Sequence, residues 1–324
     1  MQLDTIETLV NLNQKGTLQY MNIFLKKNYN KVIYNENYLM AIGNLPIALV
    51  AHMDTVFEDS VEQKELFYDK EKEVLWCPQG AGFDDKAGIA AMIEIINRGY
   101  RPHIILTTNE ECGGLGATIA SAKKCPFKGL KYMIQLDRRG QNDCVFYDCD
   151  NKEFTEYIET FGFKENWGTF SDISVLCPAW KIAGVNLSIG YENEHTKQEI
   201  LRLAWYKATI ERVIVMLQSE PPQTFKYIEG DTWKRYYDFY SSLYIKCAKC
   251  GKAHLEEELF VVKSKDGKNQ LWCPICIGKA QLNWCTSCFQ AQETDGEPII
   301  TQECEDCKKK KRIGNGLQGN TAAV

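Results

Sequence analysis

Short apolar runs alternate with amphipathic segments over the first two thirds of the chain. Four runs have the length and apolar character of buried strands, namely 46–51, 103–108, 132–136 and 185–189. Two further pairs of short runs predict hairpins, 32–34 with 38–42 and 66–68 with 74–76. Helical spacing of apolar positions predicts helices at 3–13, 17–27, 86–98, 116–123, 154–161 and 197–218. This alternation predicts an α/β fold with a mostly parallel central sheet flanked by helices.

Polar residues gather where the predicted strands end. Those that follow a strand are His52, Asp54, Glu110, Glu111, Asp137 and His195, and Asp84 precedes a predicted helix. Ligands of open α/β sheets bind beyond the carboxyl ends of the strands, so we expect these side chains to converge. Carboxylates packed together repel one another, and a bound pair of cations removes that penalty. The sequence therefore predicts a metal site at this edge of the sheet.

The bulk composition excludes several classes of protein. The chain has 324 residues, 44% hydrophobic and 25% charged, with a formal net charge of −5. No apolar run approaches the roughly 20 residues that span a bilayer, so we predict no membrane partner. A mildly acidic chain is not, on bulk charge, a nucleic-acid binder. The amino-terminal segment lacks the basic start and apolar stretch of a signal peptide, so we expect a reducing, cytoplasmic location.

The chain contains 14 cysteines, which in a reducing compartment are metal ligands or buried thiols rather than disulfides. Four Cys-x-x-Cys pairs occur near the carboxyl end: Cys247/Cys250, Cys273/Cys276, Cys285/Cys288 and Cys304/Cys307. Two residues between paired cysteines allow both sulfurs to bind one zinc ion at about 2.3 Å. The spacing predicts two structural zinc ions, each held by four cysteines. Sequential pairing of neighbouring pairs is the default, and interleaved pairing is the alternative.

The same pattern divides the chain into parts. Consecutive prolines at 221 and 222 interrupt the helical spacing that precedes them. We therefore predict an α/β domain at 1–218, a linker at 219–246 and a zinc-ribbon module at 247–312. Residues 313–324 are small and polar, which predicts a disordered tail.

Five segments of the larger domain carry recognisable motifs. In chain order they are AHMDTV at 51–56, GFDDKAG at 82–88, TTNEECGGLGA at 107–117, LD at 136–137 and EHT at 194–196. Together they resemble the motifs of the co-catalytic dizinc exopeptidases and deacylases. That superfamily includes peptidase T, glutamate carboxypeptidases and bacterial dizinc aminopeptidases. The resemblance covers roughly residues 45–215 and implies the α/β fold of these enzymes.

The resemblance also implies a ligand set for two catalytic zinc ions, with manganese or cobalt as alternative metals. Asp84 would bridge the two ions. His52 and Asp137 would complete one metal site, and Glu111 and His195 would complete the other. Imidazole and carboxylate groups are ligands that suit zinc, which agrees with this assignment.

Further roles follow from the resemblance and from the chemistry of neighbouring residues. Glu110 would be the general base that takes a proton from a metal-bridging water, and Asp54 would orient the ring of the nearby histidine ligand. For the substrate, we consider Asp172 for an α-ammonium group, Tyr191 for the developing oxyanion and Arg138 for a carboxylate. Asp172 lies in a segment that resembles the family's Ser-Asp-His element, although isoleucine follows it in place of histidine.

The predicted function is zinc-dependent hydrolysis of an amide bond. The interval between Asp137 and His195 is filled by predicted elements, so the lid and dimerisation domain of peptidase T has no room there. This favours an aminopeptidase that acts on short peptides. An N-acyl-amino-acid deacylase or a carboxypeptidase on the same metals is the nearest alternative. A non-enzymatic alternative is an adaptor whose zinc ribbons bind a protein or a nucleic acid, for which the basic run 308–312 is the relevant feature.

Overall fold

The structure is a computed structural model, and it describes residues 2–57, 63–230, 244–255, 259–285, 291–295, 300–301 and 307–308. The chain forms two compact units, which meet in sequence between Thr232 and Trp233. In the described part of the chain, no helix combines the length and apolar character needed to cross a membrane. The predicted disordered tail, 313–324, lies outside the described residues.

The first unit is built around an eight-stranded sheet. Its strands are β1 (Val32–Tyr34), β2 (Tyr38–Ala41), β3 (Ile47–His52), β6 (His103–Thr107), β7 (Tyr132–Arg138), β8 (Asp143–Val145), β9 (Lys164–Glu165) and β10 (Gly184–Ser188). They lie in the order β1-β2-β6-β3-β7-β10-β8-β9. The four central strands, β6, β3, β7 and β10, are mutually parallel, whereas antiparallel pairs flank them on both sides. The predicted α/β fold with a mostly parallel core is confirmed.

Helices cover both faces of this sheet. They are α1 (Gln2–Val10), α2 (Gln14–Asn28), α3 (Phe83–Asn97), α4 (Leu115–Ser121), α5 (Lys152–Glu159), α6 (Asp172–Trp180) and α7 (Leu203–Gln218). Strand β3 shows why: Leu49 packs into one apolar cluster with α3 and α7, and its neighbour Val50 packs into a second cluster with α4 and α6. Successive side chains of a strand point to opposite faces, so a strand covered on both faces is apolar throughout.

A smaller antiparallel sheet lies in the same unit. It contains β4 (Phe67–Asp69), β5 (Val74–Trp76), β11 (Tyr191–Glu192) and β12 (Ile200–Arg202), in the order β11-β12-β5-β4. The predicted hairpin of β4 and β5 is confirmed. The predicted helix at 197–218 is wrong over its first six residues, because Ile200 to Arg202 pair with β5 and the helix begins only at Leu203.

The first unit extends beyond the predicted boundary at residue 218. Phe225 is buried and its ring lies 5.0 Å from that of Phe154 in α5. Lys226 and Glu229 form isolated bridges with Ile182 and Cys149. Residues 219–230 therefore pack against the α/β core. Residues 231–243 of the predicted linker lie outside the described residues, and its last three residues, 244–246, form a strand of the second unit.

Within its described residues, the second unit contains short strands and a short helix. A two-stranded sheet pairs β13 (Tyr244–Lys246) with β14 (Ala253–Leu255). A five-stranded sheet contains β15 (Phe260–Lys263), β16 (Asn269–Trp272), β17 (Leu282–Cys285), β18 (Ala291–Glu293) and β19 (Ile300–Thr301), and α8 is Pro274–Lys279. The apolar cluster among its described residues is small and includes Val262, Trp272 and Leu282. A core of this size needs additional cross-links for stability.

Candidate metal centre

The sheet order brings the predicted ligands to one edge of the first unit. His52 ends β3, Asp137 lies near the end of β7, and Glu111 follows β6, the strand on the other side of β3. Asp84 lies at the start of α3, and His195 lies in the loop between β11 and β12. Parallel neighbours end at the same edge, which explains why residues far apart in sequence meet there.

Asp84 lies between the two histidines. Its Oδ1 is 3.0 Å from Nε2 of His52, and its Oδ2 is 3.2 Å from Nε2 of His195. The Nε2 atom of His52 is also 3.4 Å from Oδ1 of Asp137, and that of His195 is 3.0 Å from Oε1 of Glu111. The structure thus brings all five predicted ligands together in two groups that share one carboxylate.

The neighbouring Asp85 is also close to His52 and Asp137, and each of its oxygens accepts one backbone hydrogen bond. Its Oδ2 accepts a hydrogen bond from the backbone N–H of His52, and its Oδ1 accepts one from Gly88 in the first turn of α3. Burial raises the pKa of the Asp85 carboxyl well above its usual range. Asp85 therefore anchors the start of the helix, and Asp84 is the carboxylate that faces both histidines.

The titration behaviour of the cluster reflects the crowding of like charges. Burial and the proximity of Asp84 raise the pKa of Asp137 to about 7. Hydrogen bonds to Asp84 and Glu111 raise the pKa of His195 to about 11. Uncompensated buried carboxylates are costly, and divalent cations are the groups that compensate them most directly. The convergence of imidazole nitrogens and carboxylate oxygens around Asp84 fits a pair of zinc ions.

Asp54 connects the ligands to the loop after β6. Its carboxylate accepts hydrogen bonds from the backbone N–H groups of Glu110 and Glu111, at 3.1 and 3.0 Å. Its Oδ1 lies 3.5 Å from Nδ1 of His52, and its own carbonyl oxygen lies 3.1 Å from the same nitrogen. Asp54 therefore lies where it can hold the ring of His52 and the Glu110–Glu111 backbone in one arrangement.

Glu110 points into the same cleft as the ligands. Within the described residues its carboxylate makes no hydrogen bond, whereas its backbone is held by Asp54. Burial raises the pKa of Glu110 to about 9; Asp137 and Asp84 add to the rise, and His52 opposes it. A carboxylate with a raised pKa next to a metal site is a candidate for proton transfer.

Glu199 is a buried carboxylate that the sequence patterns do not indicate, since they place it inside the predicted helix 197–218. Its Oε2 accepts hydrogen bonds from the backbone N–H groups of Gly82 and Phe83, at 2.7 and 3.0 Å, and its Oε1 accepts one from Asp84 at 3.0 Å. One side chain therefore satisfies three free N–H groups at the start of α3. In this way Glu199 holds the backbone that carries Asp84.

Asp137 is held by several donors. The hydroxyl of Tyr191 donates to Oδ1 at 3.2 Å, and the hydroxyl of Ser171 and the side-chain amide of Gln135 donate to Oδ2 at 2.9 and 3.1 Å. Tyr191 is buried at the wall of the cleft. In this arrangement its hydroxyl proton orients the carboxylate rather than pointing to open space.

Asp172 does not line the cleft. Its side chain is fully buried at the start of α6, where it accepts hydrogen bonds from Thr107 Oγ1 and, at 3.5 Å, from Gln135. Burial raises the pKa of Asp172 to about 6. Asp172 therefore lies outside the cleft in which its predicted contact with a substrate ammonium group would form.

The cleft beside the metal ligands has a volume of about 320 Å³. This is near the lower end of the range for small-molecule sites, roughly 300–1,000 Å³. Besides the ligands and Glu110, its walls include Arg138, Arg139, Tyr147, Trp167, Phe170 and Glu194. A cleft of this volume accommodates a few amino-acid residues.

The second unit contains a separate cluster of cysteines. The sulfur atoms of Cys247, Cys250, Cys273 and Cys276 all lie within 4.8 Å of one another. This places the first Cys-x-x-Cys pair next to the second, as sequential pairing, the default, predicts. Cys285 lies 3.9 Å from Cys307, sulfur to sulfur, which agrees with the same order for the third and fourth pairs. The other members of those pairs, Cys288 and Cys304, lie outside the described residues.

Comparison with known proteins supports the fold independently. No family model matches the chain, and no curated protein matches its sequence. Among solved structures it is similar to the aminopeptidase PepT of Bacillus cereus, with 14% identity over 67% of this chain and 97% of that one and a TM-score of 0.54. It is also similar to a TET aminopeptidase from a marine-sediment thaumarchaeote, with 12% identity over 68% and 97% of the two chains and a TM-score of 0.56.

A tripeptidase of Staphylococcus aureus is a third similar structure, with 13% identity over 67% of this chain and 98% of that one and a TM-score of 0.51. The chain therefore has the fold that these peptidases share. The superfamily resemblance inferred from the motifs is confirmed at the level of the fold. The matches cover nearly all of each peptidase and about two thirds of this chain.

Proposed function

We propose that the first unit is a zinc-dependent amide-bond hydrolase, and more specifically an aminopeptidase that acts on short peptides. The observation that carries this proposal is the position of Asp84. Each of its carboxylate oxygens faces a different histidine, while the carboxylate of Glu110 lies free in the same cleft. An open cleft with a shared ligand and a free base is the arrangement that metal-assisted hydrolysis requires.

In this proposal one zinc ion is held by His52, Asp84 and Asp137, and the other by Asp84, Glu111 and His195. Manganese and cobalt are alternative metals for the same ligands. Bound there, the two ions would supply Lewis acidity to the scissile carbonyl and to the nucleophilic water. The contacts that keep the ligands in place come from the chain itself, through Asp54, Glu199 and the donors around Asp137.

Glu110 moves the proton in the proposed reaction. Its carboxylate accepts a proton from the attacking water and returns it to the nitrogen of the leaving amine. Burial keeps the carboxylate basic enough to take the proton, and the positive charge of ions bound beside it would keep it ionised before the transfer. Asp54 fixes the backbone of Glu110, so the carboxylate stays aimed at the cleft.

The size of the cleft supports short peptides as substrates. A volume of about 320 Å³ suits the end of a peptide chain, and the aromatic walls Trp167 and Phe170 offer apolar contacts to a side chain. The similar solved structures are named as aminopeptidases and a tripeptidase, which supports the same substrate class. An N-acyl-amino-acid deacylase or a carboxypeptidase is the alternative, which the presence of Arg138 in the cleft favours.

For the second unit we propose two structural zinc ions, each held by four cysteines within the predicted module 247–312. Four thiolates complete the coordination of zinc and leave no position for a substrate, so these sites would stabilise the fold. The module is a candidate for docking a protein or a nucleic acid. Reduced cysteines of this kind suit the cytoplasm, which we propose as the location of the protein.

The test of the proposed function is Glu110→Gln in the full chain loaded with zinc. We expect the variant to retain about four zinc equivalents by elemental analysis, because Glu110 is not a ligand in the proposal. Turnover of aminoacyl anilides and dipeptides should fall by about 10³-fold, within the range for loss of a general base.

The matched control is Glu211→Gln, which removes a carboxylate from the exposed face of α7, where it pairs with Arg98. This control should hydrolyse the substrates like the parent protein. Substantial turnover by Glu110→Gln would contradict the mechanism. A parent protein that hydrolyses no amide while holding its zinc would contradict the function itself.

A further inference from the structure

Two adjacent arginines on the wall of the cleft differ in how their charges are compensated. Arg139 is exposed, and its Nη1 lies 2.9 Å from Oε1 of Glu194. Arg138 is much less accessible, with 16% of its side chain exposed against 63% for Arg139. Its nearest carboxylate oxygen is Oδ2 of Asp143, at 3.4 Å from Nη2. The charge of Arg138 is therefore more deeply buried and less well paired.

The hydrogen-bond donors of Arg138 are largely unused. A guanidinium group carries five N–H donors. Within the described residues, the buried Nε of Arg138 has no partner, and the one hydrogen bond of the group is the long one to Asp143. That oxygen of Asp143 also accepts a shorter bond, 2.7 Å, from the side-chain amide of Asn166. A largely buried cation whose donors lack partners is costly, and a bound anion would offset that cost.

The space beside the guanidinium is kept open by Gly168. A Cβ atom at that position would lie 3.5 Å from Nη1 of Arg138 and 3.0 Å from a methyl group of Val145. Any larger residue would therefore fill the region next to Nη1 or displace its neighbours. Both Gly168 and Arg138 line the cleft that contains the metal ligands and Glu110.

We propose that Arg138 is the anion-binding residue of the cleft and that the substrate carries a carboxylate which binds to it. This inference rests on the proposed function, since it specifies which short peptides are preferred. A planar guanidinium with free donors matches a carboxylate in a bidentate arrangement. The carboxylate comes either from the carboxyl terminus of a short peptide or from an acidic side chain. Arg138 takes no part in bond breaking and acts on specificity.

The experiment compares substrates that differ only in this charge. Binding is measured by calorimetry on the zinc-loaded full chain with Glu110→Gln, so that hydrolysis does not interfere. One pair is leucylglycine and leucylglycinamide, which tests the terminal carboxylate. The other pair is glutamylglycinamide and glutaminylglycinamide, which tests the acidic side chain. We expect the acidic member of one pair to bind about 10- to 100-fold more tightly than its amide, as for a charge-assisted contact.

Substitution then assigns the preference to one residue. In the same background, Arg138→Met should reduce the affinity ratio of that pair to near one, and Arg138→Lys should retain only part of it, because lysine keeps the charge and loses the bidentate contact. The matched control, Arg139→Met, should keep the ratio of the parent. Circular dichroism checks the fold of each variant, and Arg138→Lys serves as the test if Arg138→Met does not fold.

Three results would overturn the inference: equal binding within both pairs, an unchanged ratio in Arg138→Met, or an equal loss in Arg139→Met. The last result would mean that the general field of the cleft, and not a defined contact, attracts the anion. Turnover is measured separately with Glu110 intact. A chain that prefers acidic ligands but hydrolyses none refutes only the proposed function, and one that hydrolyses neutral peptides without preference refutes only the anion site.

Discussion

The two units of the protein each contain a cluster of metal-ligand side chains, and the clusters differ in what surrounds them. In the first unit, imidazole and carboxylate groups face a cleft of about 320 Å³ that also holds Glu110 and Arg138. In the second unit, four cysteine sulfurs lie within 4.8 Å of one another, and Cys247 and Cys273 are buried. The first cluster lies beside an open cleft that contains further polar side chains, Glu110 and Arg138 among them. The second cluster consists of four cysteine sulfurs.

The same difference distinguishes catalytic zinc sites from structural zinc sites. A catalytic zinc site keeps a position for water or substrate, whereas a structural site is closed by four protein ligands. The two units also differ in the size of the apolar core. The first unit has an extensive core on both faces of its sheet, and the apolar cluster among the described residues of the second unit is small. We therefore expect metal to be needed for reaction in the first unit and for folding in the second.

The largest expected effect is the loss of the second unit in Cys250→Ser. Removing one of four thiolates should release about one zinc equivalent and unfold the module, because structural zinc supplies much of the folding free energy of small domains. The residues of the catalytic cleft all belong to the first unit, so turnover should persist. Elemental analysis measures the zinc content, protein NMR measures the folding of the module, and a peptide assay measures turnover. The control is Cys125→Ser, a half-buried cysteine outside the cluster. If turnover were lost together with the fold of the module, the contrast between a catalytic first unit and a structural metal site in the second would be wrong.

An intermediate effect is expected for Glu199→Gln, which keeps the shape of the side chain. The amide nitrogen would face a backbone N–H of the Gly82–Asp84 segment, so at least one of its three hydrogen bonds is lost. Substitutions that disturb the partners of metal ligands weaken metal affinity by about 10- to 100-fold. A competing chelator should therefore remove the zinc of the first unit more easily, with no change for the cysteine site. Glu192→Gln, on the adjacent strand, is the control, and equal zinc affinity in both variants would remove the role assigned to Glu199.

The smallest expected effect concerns pH and His103, which lies at the end of the sheet opposite the metal ligands. Burial lowers the pKa of His103 to about 4, and the ring stacks on Phe127 while Nδ1 accepts a hydrogen bond from the backbone N–H of Gly43. A depressed pKa means that the unfolded chain binds the proton more readily. The stability that the neutral ring contributes is present above the unfolded pKa, about 6.5, and is lost as the pH falls towards 4.

Urea unfolding of the first unit between pH 7 and pH 5 tests this expectation. The parent protein should lose more stability over this range than His103→Gln, which cannot gain a proton. Protonation of the metal ligands affects both proteins alike, so the difference between them isolates His103. The second unit, measured in the same titrations, should respond equally in both. Parallel curves for the first unit in parent and variant would contradict the assignment.

The parts of the fold that the sequence predicts are those with long apolar runs. Strands β3, β6 and β7 are buried along most of their length, and their boundaries differ from the predicted ones by one or two residues. The short strands β8, β9, β11 and β12 are not predicted, because each has only two or three residues and contains a charged one, so that none forms an apolar run. Helix α6 is also missed, because Pro178 lies inside it and interrupts the sequence signal of a helix.

The candidate site divides in the same way. The five predicted ligands follow strand ends or precede a helix, so the topology of a parallel sheet is enough to bring them together. The role of Glu199 depends on β12, which helical spacing conceals. The burial of Asp172 depends on how α6 packs against Thr107 and Gln135, a tertiary contact that no local pattern encodes. Arg138 and Arg139 are adjacent residues of the same type, so the sequence does not indicate that one is much less exposed than the other.

Asp54 has a consequence for how the protein can change by mutation. One carboxylate contacts the ring of His52 and the backbone of Glu110 and Glu111. The positions of these three residues are therefore not independent, and substitutions near any of them should combine non-additively. A variant that gains from moving the base also moves a ligand on each side of Asp84. We therefore expect this site to change through paired substitutions. A single substitution that improves one contact of Asp54 would weaken another contact of the same carboxylate.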